Sequence, residues 1–182
     1  MSDVTDEVTD ENAFDVFDVS MDEIEELPTY DPWCAGLYTG LDMTGKMVTG
    51  EKPDGSKYSR YVMTLTRTEN TTVELYSEQD EEEEQTRKVG DITQLSYNFP
   101  PAVQGDEEAS EKAKELRNKS LAYMNDLLGE SFPDASNFRE VIEAVEEGLT
   151  DISVELSRTT TTNKDDPDNP YINQKAKNFS LD

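Results

Sequence analysis

Lys57-Tyr58-Ser59-Arg60-Tyr61-Val62-Met63-Thr64-Leu65-Thr66-Arg67-Thr68 alternates its side chains with a period of two and is rich in aromatic and β-branched residues. Both features belong to a β-strand laid against a core on one side. Tyr61, Met63 and Leu65 fall on one face, and Tyr58, Arg60, Val62 and Thr64 on the other. Pro53-Asp54-Gly55 precedes the run and Asn70 follows it, both turn chemistry, so neighbouring strands are expected to lie antiparallel. Upstream, Leu37, Leu41 and Met43 share one parity, with Gly45 and Gly50 punctuating the route. Downstream, Thr72 to Ser77 reads as a third strand with Val73 and Leu75 in the core and Tyr76 turned away. Ile92 to Phe99 reads as another, closed by Pro100-Pro101.

The period then changes. Asp106 to Leu128 is rich in Glu, Lys, Ala and Leu, with helical spacing at Ala113, Leu116, Leu121, Met124 and Leu128, and Gly129 is placed as its C-cap. Ser136 is placed as the N-cap of a shorter helix through Phe138, Val141, Ile142 and Val145 to Gly148. Ile152, Val154 and Leu156 alternate as a strand, and Tyr171 to Phe179 supplies a last one. Strands, then helices, then strands predict an α+β domain over residues 30–182: a small, partly open antiparallel β-barrel with a helical insertion at 106–148.

Length and charge bound what such a domain does. The 182 residues and 20.5 kDa allow one core and an arm. Forty-two Asp and Glu against sixteen Lys and Arg give a net charge of -26, which excludes bulk attraction to duplex DNA or anionic membrane. With no His and one Cys the chain lacks an imidazole base, a Cys/His zinc site and an internal disulfide. No apolar run spans a bilayer and no signal-peptide pattern opens the chain, so a cytoplasmic, non-catalytic protein without cofactor is expected.

The charge is unevenly spread. Residues 1–32 carry twelve acids and no base, and within residues 1–29 single apolar residues alternate with acids, the pattern of a flexible acidic arm that orders on a partner. Residues 33–77 balance Asp42, Glu51, Asp54, Glu69 and Glu74 against Lys46, Lys52, Lys57, Arg60 and Arg67. A second block, Glu78 to Glu84, holds six acids in seven residues and reads as a solvated loop between strands.

Two motifs fail on inspection. Gly40 to Lys46 matches a phosphate-binding loop until Met47 stands where a magnesium-binding hydroxyl is required. Asp165, Asp166 and Asp168 lack the central Gly and terminal Glu of a calcium loop and read as a polar turn. No pair of carboxylates is marked out as catalytic.

The neutral segment is more informative. Strand parity places Tyr38, Tyr58, Tyr76 and Arg60 on the face opposite the core, with Lys46, Lys52 and Lys57 in adjoining loops. Aromatic rings stack on unpaired bases and cations meet phosphates, which is the chemistry of single-stranded DNA binding. Ordinary packing of tyrosines against a second layer remains the competing reading.

In layout the chain resembles small phage-encoded single-stranded DNA-binding proteins of the oligonucleotide-binding-fold type. The resemblance is carried by Asp31-Pro32-Trp33-Cys34-Ala35-Gly36-Leu37-Tyr38, Lys57 to Val62, a long helix before Leu127-Leu128-Gly129-Glu130, and Pro170-Tyr171-Ile172-Asn173. It implies DNA replication or recombination in a host cytoplasm, with an acidic segment that contacts replication or recombination proteins. Here the acidic arm is N-terminal and Lys175-Ala176-Lys177-Asn178-Phe179 is basic, a departure from that pattern. An acidic DNA mimic that inhibits a host nucleic-acid enzyme, or a virion assembly protein, are the alternatives the charge leaves open.

Overall fold

A computed structural model describes residues 31–181 and shows an α+β fold built on one open antiparallel sheet. The strands are β1 (Gly36–Glu51), β2 (Lys57–Leu75), β3 (Ile92–Asn98), β4 (Leu149–Thr161) and β5 (Tyr171–Leu181). Their order across the sheet is β3-β2-β1-β4-β5. Three α-helices complete the described residues: α1 (Glu81–Gln85), α2 (Glu107–Leu128) and α3 (Phe138–Glu147), the last two between β3 and β4 as expected. The acidic arm assigned to residues 1–29 lies outside the described residues. Among the described residues no helix is long and apolar enough to cross a membrane.

One irregularity governs which side chains face inward. The β1–β2 ladder pairs Thr39 with Thr72 and Leu41 with Arg67, so β1 spends one extra residue there and β2 several. Gly40 sits at the bulge with φ 72°, and a Cβ there would collide with the Asn70 carbonyl. The hydroxyls of Thr68 and Thr71 donate to the Gly40 carbonyl at 2.7 and 3.0 Å, which satisfies the group the bulge leaves unpaired. Two expectations are corrected as a result. Tyr58 to Thr68 and Thr72 to Ser77 are one long bent strand, not two. Tyr38 lies on the same side as Leu41 and Met43, fully buried, because the inserted residue shifts the inside-outside alternation.

The core joins Trp33, Tyr38, Leu41, Met63, Leu65, Ile152, Val154 and Leu156 to Met124, Leu127 and Leu128 of α2 and Val141 and Val145 of α3. Asp106 caps α2 by accepting from the Ala109 N–H at 3.0 Å, and Gly129 is its C-cap. The helix docks on a face rotated from the expected one: Ser120 and Leu127 are buried, and Leu116 and Leu121 are exposed. Ser120 donates from Oγ to the Asn98 carbonyl at 2.6 Å, an anchor to β3 that apolar periodicity does not show. In α3 the cap is Asn137, one residue after the expected Ser136, whose Oγ instead donates to Glu140 at 2.7 Å.

The acidic block is the larger correction. Glu78 to Glu84 forms a 3-10 turn running into α1 and is a clamp, not a free loop. Arg67, 6% exposed, donates to both carboxylate oxygens of Glu84, its Nη2 at 2.9 Å from Oε2. Its guanidinium lies 4.4 Å from the Trp33 ring centroid and 5.4 Å from that of Tyr38. Arg158 donates to Glu83 at 2.7 and 3.1 Å and to Asp80 at 3.4 Å. Gln174 Oε1 on β5 accepts from Thr93 Oγ1 on β3 at 2.8 Å and from the Trp33 backbone N–H at 3.0 Å, so a side chain links the two edge strands.

Removing one partner of a buried ion pair leaves an uncompensated charge, at a cost of about 3–5 kcal/mol. Glu84→Ala is therefore expected to lose stability of that order in urea unfolding. The double replacement Arg67→Met with Glu84→Met is expected to recover most of the loss.

Candidate nucleic-acid interface

The face of the sheet opposite the core is assembled from alternate residues of every strand. On β1 it presents Thr44, Lys46 and Val48, which stand opposite Thr64, Val62 and Arg60 of β2. On β3 it presents Gln94, Ser96 and Asn98, opposite the same three β2 residues. Two cations thus stand against Val48 and the buried Val62, with Thr44, Thr64, Gln94, Ser96 and Asn98 as uncharged hydrogen-bonding groups around them, a composition suited to phosphates and base edges. Tyr58 stands opposite Gly50, and a Cβ on Gly50 would collide with the Tyr58 ring. Glycine at this place lets the ring lie over the partner strand, with 36% of the residue open to solvent.

Six of the seven expected site residues fall into three groups. Tyr58, Arg60 and Lys46 come together on the outer face of β1 and β2, with Lys46 on a strand and not in a loop. Lys52 and Lys57 flank the tip of the same hairpin, where Lys52 N donates to the Ser56 carbonyl at 2.7 Å and Gly55 N to the Lys52 carbonyl at 2.9 Å. Tyr76 is exposed but follows the far end of β2, hydrogen-bonded to Glu155. Tyr38 belongs to none of these. Its hydroxyl donates to the Cys34 carbonyl at 2.7 Å inside the core, and its ring stacks on Trp33 with centroids 5.3 Å apart. A ring with no exposed surface cannot receive a base.

Sequence reasoning passed over Tyr171, Lys175 and Lys177, which share the outer face on β5. Their signal was present as period-two spacing with Asn173 between them.

A second cluster was also unforeseen. Cys34 Sγ, Asp80 and Glu83 bring their ligand-type atoms within 4.8 Å of one another. Arg158 already occupies the centre of this group, and the thiol donates to Glu83 Oε2 at 2.8 Å. Hydrogen bonds from Arg158 and Cys34 hold the Glu83 carboxyl down at about 2. Burial and the neighbouring carboxylate push the Cys34 thiol up to about 12. A protonated thiol beside an arginine is a poor cation ligand, so the cluster reads as structural.

No protein-family model matches the chain, and neither a curated protein nor a solved structure matches it.

Two outcomes follow from the Glu83 cluster. The Glu83 carboxyl titrates lower in the folded than in the unfolded chain, so it stabilises the fold above about pH 4.5 and that contribution is lost as pH falls toward 2. Thermal melts between pH 5 and 2 should show a shallower acid loss for Glu83→Gln than for the parent. Cys34 should react with a thiol reagent at neutral pH only after denaturant is added.

Proposed function

We propose that this protein is a non-catalytic single-stranded DNA-binding protein built on an oligonucleotide-binding-type barrel. The sheet order supports the fold reading: five antiparallel strands in the order β3-β2-β1-β4-β5, helices inserted between β3 and β4, and Gln174 joining the two edges toward closure. In barrels of this class the β2–β3 face and the β1–β2 and β4–β5 loops bind oligonucleotides. Here that face carries Tyr58 and Arg60 beside Lys46, Ser96 and Asn98. This juxtaposition is the observation that carries the functional reading: a half-exposed ring for a base, cations for phosphates and uncharged acceptors and donors between them. A role in phage DNA replication or recombination belongs to the same proposal and rests on the likeness of layout.

The acidic block bears on the DNA-mimic alternative. Asp80, Glu83 and Glu84 are engaged by Arg158 and Arg67, so these carboxylates are not displayed as a row of phosphate substitutes.

Fluorescence anisotropy with a labelled dT oligomer at low salt tests the proposal. Tyr58→Ala should weaken binding by about 1–3 kcal/mol, the contribution of one stacked base. Arg60→Ala should also lower the slope of log K against log salt by about 0.7, the share of one phosphate on a single strand. Tyr38→Phe should change the unfolding midpoint and leave affinity alone. Equal binding by Tyr58→Ala and the parent would remove the face from consideration.

A further inference from the structure

The outer surface of the sheet continues beyond β1 onto the β4–β5 hairpin. Glu155 stands opposite Leu37 of β1 and opposite Lys177 of β5, Ser157 opposite Lys175, and Thr161 opposite Tyr171. These side chains therefore share the face that holds Lys46 and Arg60. Tyr171 is 58% exposed, more than any other tyrosine among the described residues. Lys177 is likewise open to solvent.

Glu155 gathers the donors of this region. Lys177 Nζ lies 3.6 Å from its Oε2, Asn178 Nδ2 donates to Oε2 at 2.9 Å, and the Tyr76 hydroxyl is a further partner. Asn178 reaches it because it occupies a bulge in β5, with φ 53°, between the Ser153 and Glu155 pairings. An ammonium, an amide and a phenol converging on one carboxylate are also the donors that receive a phosphate oxygen.

We propose that the outer face of β5 is a second contact zone for the same DNA strand, with Tyr171 stacking on a base, Lys175 and Lys177 meeting phosphates, and Glu155 as the resident competitor for Lys177. The inference rests on the single-strand reading above. A rise of about 3.3 Å per residue and a strand spacing of about 4.8 Å separate Lys46 from Lys177 by about 30 Å along the sheet. A long oligomer bridges that distance and a short one stays on the Tyr58 zone.

The test uses the full chain and dT oligomers of about 4 and about 16 nucleotides, the two ends of the range one such fold covers. The combined variant Tyr171→Ala, Lys175→Ala and Lys177→Ala should bind the long oligomer about tenfold or more weakly and the short one unchanged. Glu155→Gln should bind the long oligomer about two- to fivefold more tightly, since an exposed ion pair competes by roughly that factor. Tyr171, Lys175 and Lys177 are exposed and Glu155 is half-buried, and matching thermal melts confirm that the fold is kept in both variants. If the combined variant binds the long oligomer like the parent while Arg60→Ala weakens both lengths, the second zone is overturned and the Tyr58 site stands. If the parent binds neither oligomer, both fall.

Discussion

Two arginines on the inward side of the sheet, Arg67 buried and Arg158 half-buried, set the terms for the rest of the molecule. A guanidinium cannot be neutralised by losing its proton, so burying one requires a carboxylate and an aromatic or polar wall around it. Arg67 finds Glu84, Trp33 and Tyr38; Arg158 finds Glu83 and Asp80. These contacts fix the place of α1, close one end of the core, and seat the segment Trp33-Cys34 beneath it through the Cys34 bond to Glu83. A cluster of this kind gives specificity of arrangement more than net stability, because desolvation offsets much of its Coulombic gain.

The same arrangement partitions the charge. Half of the six acids in the Glu78 to Glu84 block are spent on Arg67 and Arg158, and the outer face of the sheet keeps Lys46, Arg60, Lys175 and Lys177 alongside Asp42, Glu74 and Glu155. A total charge of -26 is thus compatible with a local cationic patch at Lys46 and Arg60, since at physiological salt charges more than about 8 Å apart in solvent are largely screened from one another. The proposed strand site depends on this separation. Its polar residues between the cations, Thr64, Ser96 and Gln94 among them, add hydrogen-bonding groups without adding charge.

Local signals were legible wherever neighbouring residues alone set the geometry. The alternation from Tyr58 to Leu65 placed Tyr61, Met63 and Leu65 inside and Tyr58 and Arg60 outside, and the sheet keeps that division. The change to a helical period at Asp106, its cap and the Gly129 end were likewise readable. Tyr38 was not, because its direction depends on a residue inserted at Gly40 and on the bend of β2 across from it, two segments about thirty positions apart. Leu116 and Leu121 were misjudged for a related reason: apolar spacing defines a stripe, but the hydrogen bond from Ser120 to Asn98 selects which side of it meets the sheet.

By itself, then, the sequence determined the α+β class, the succession of strands and helices, and the outward parity of Tyr58 and Arg60, all of which follow from backbone periodicity and short-range capping. The tertiary structure decided the partners: that the acidic run closes on Arg67 and Arg158, that Tyr38 is core, and that β5 brings Tyr171, Lys175 and Lys177 onto the face of β1 and β2. Pairing of side chains far apart in the chain depends on register and burial, and neither is encoded in any single stretch of residues.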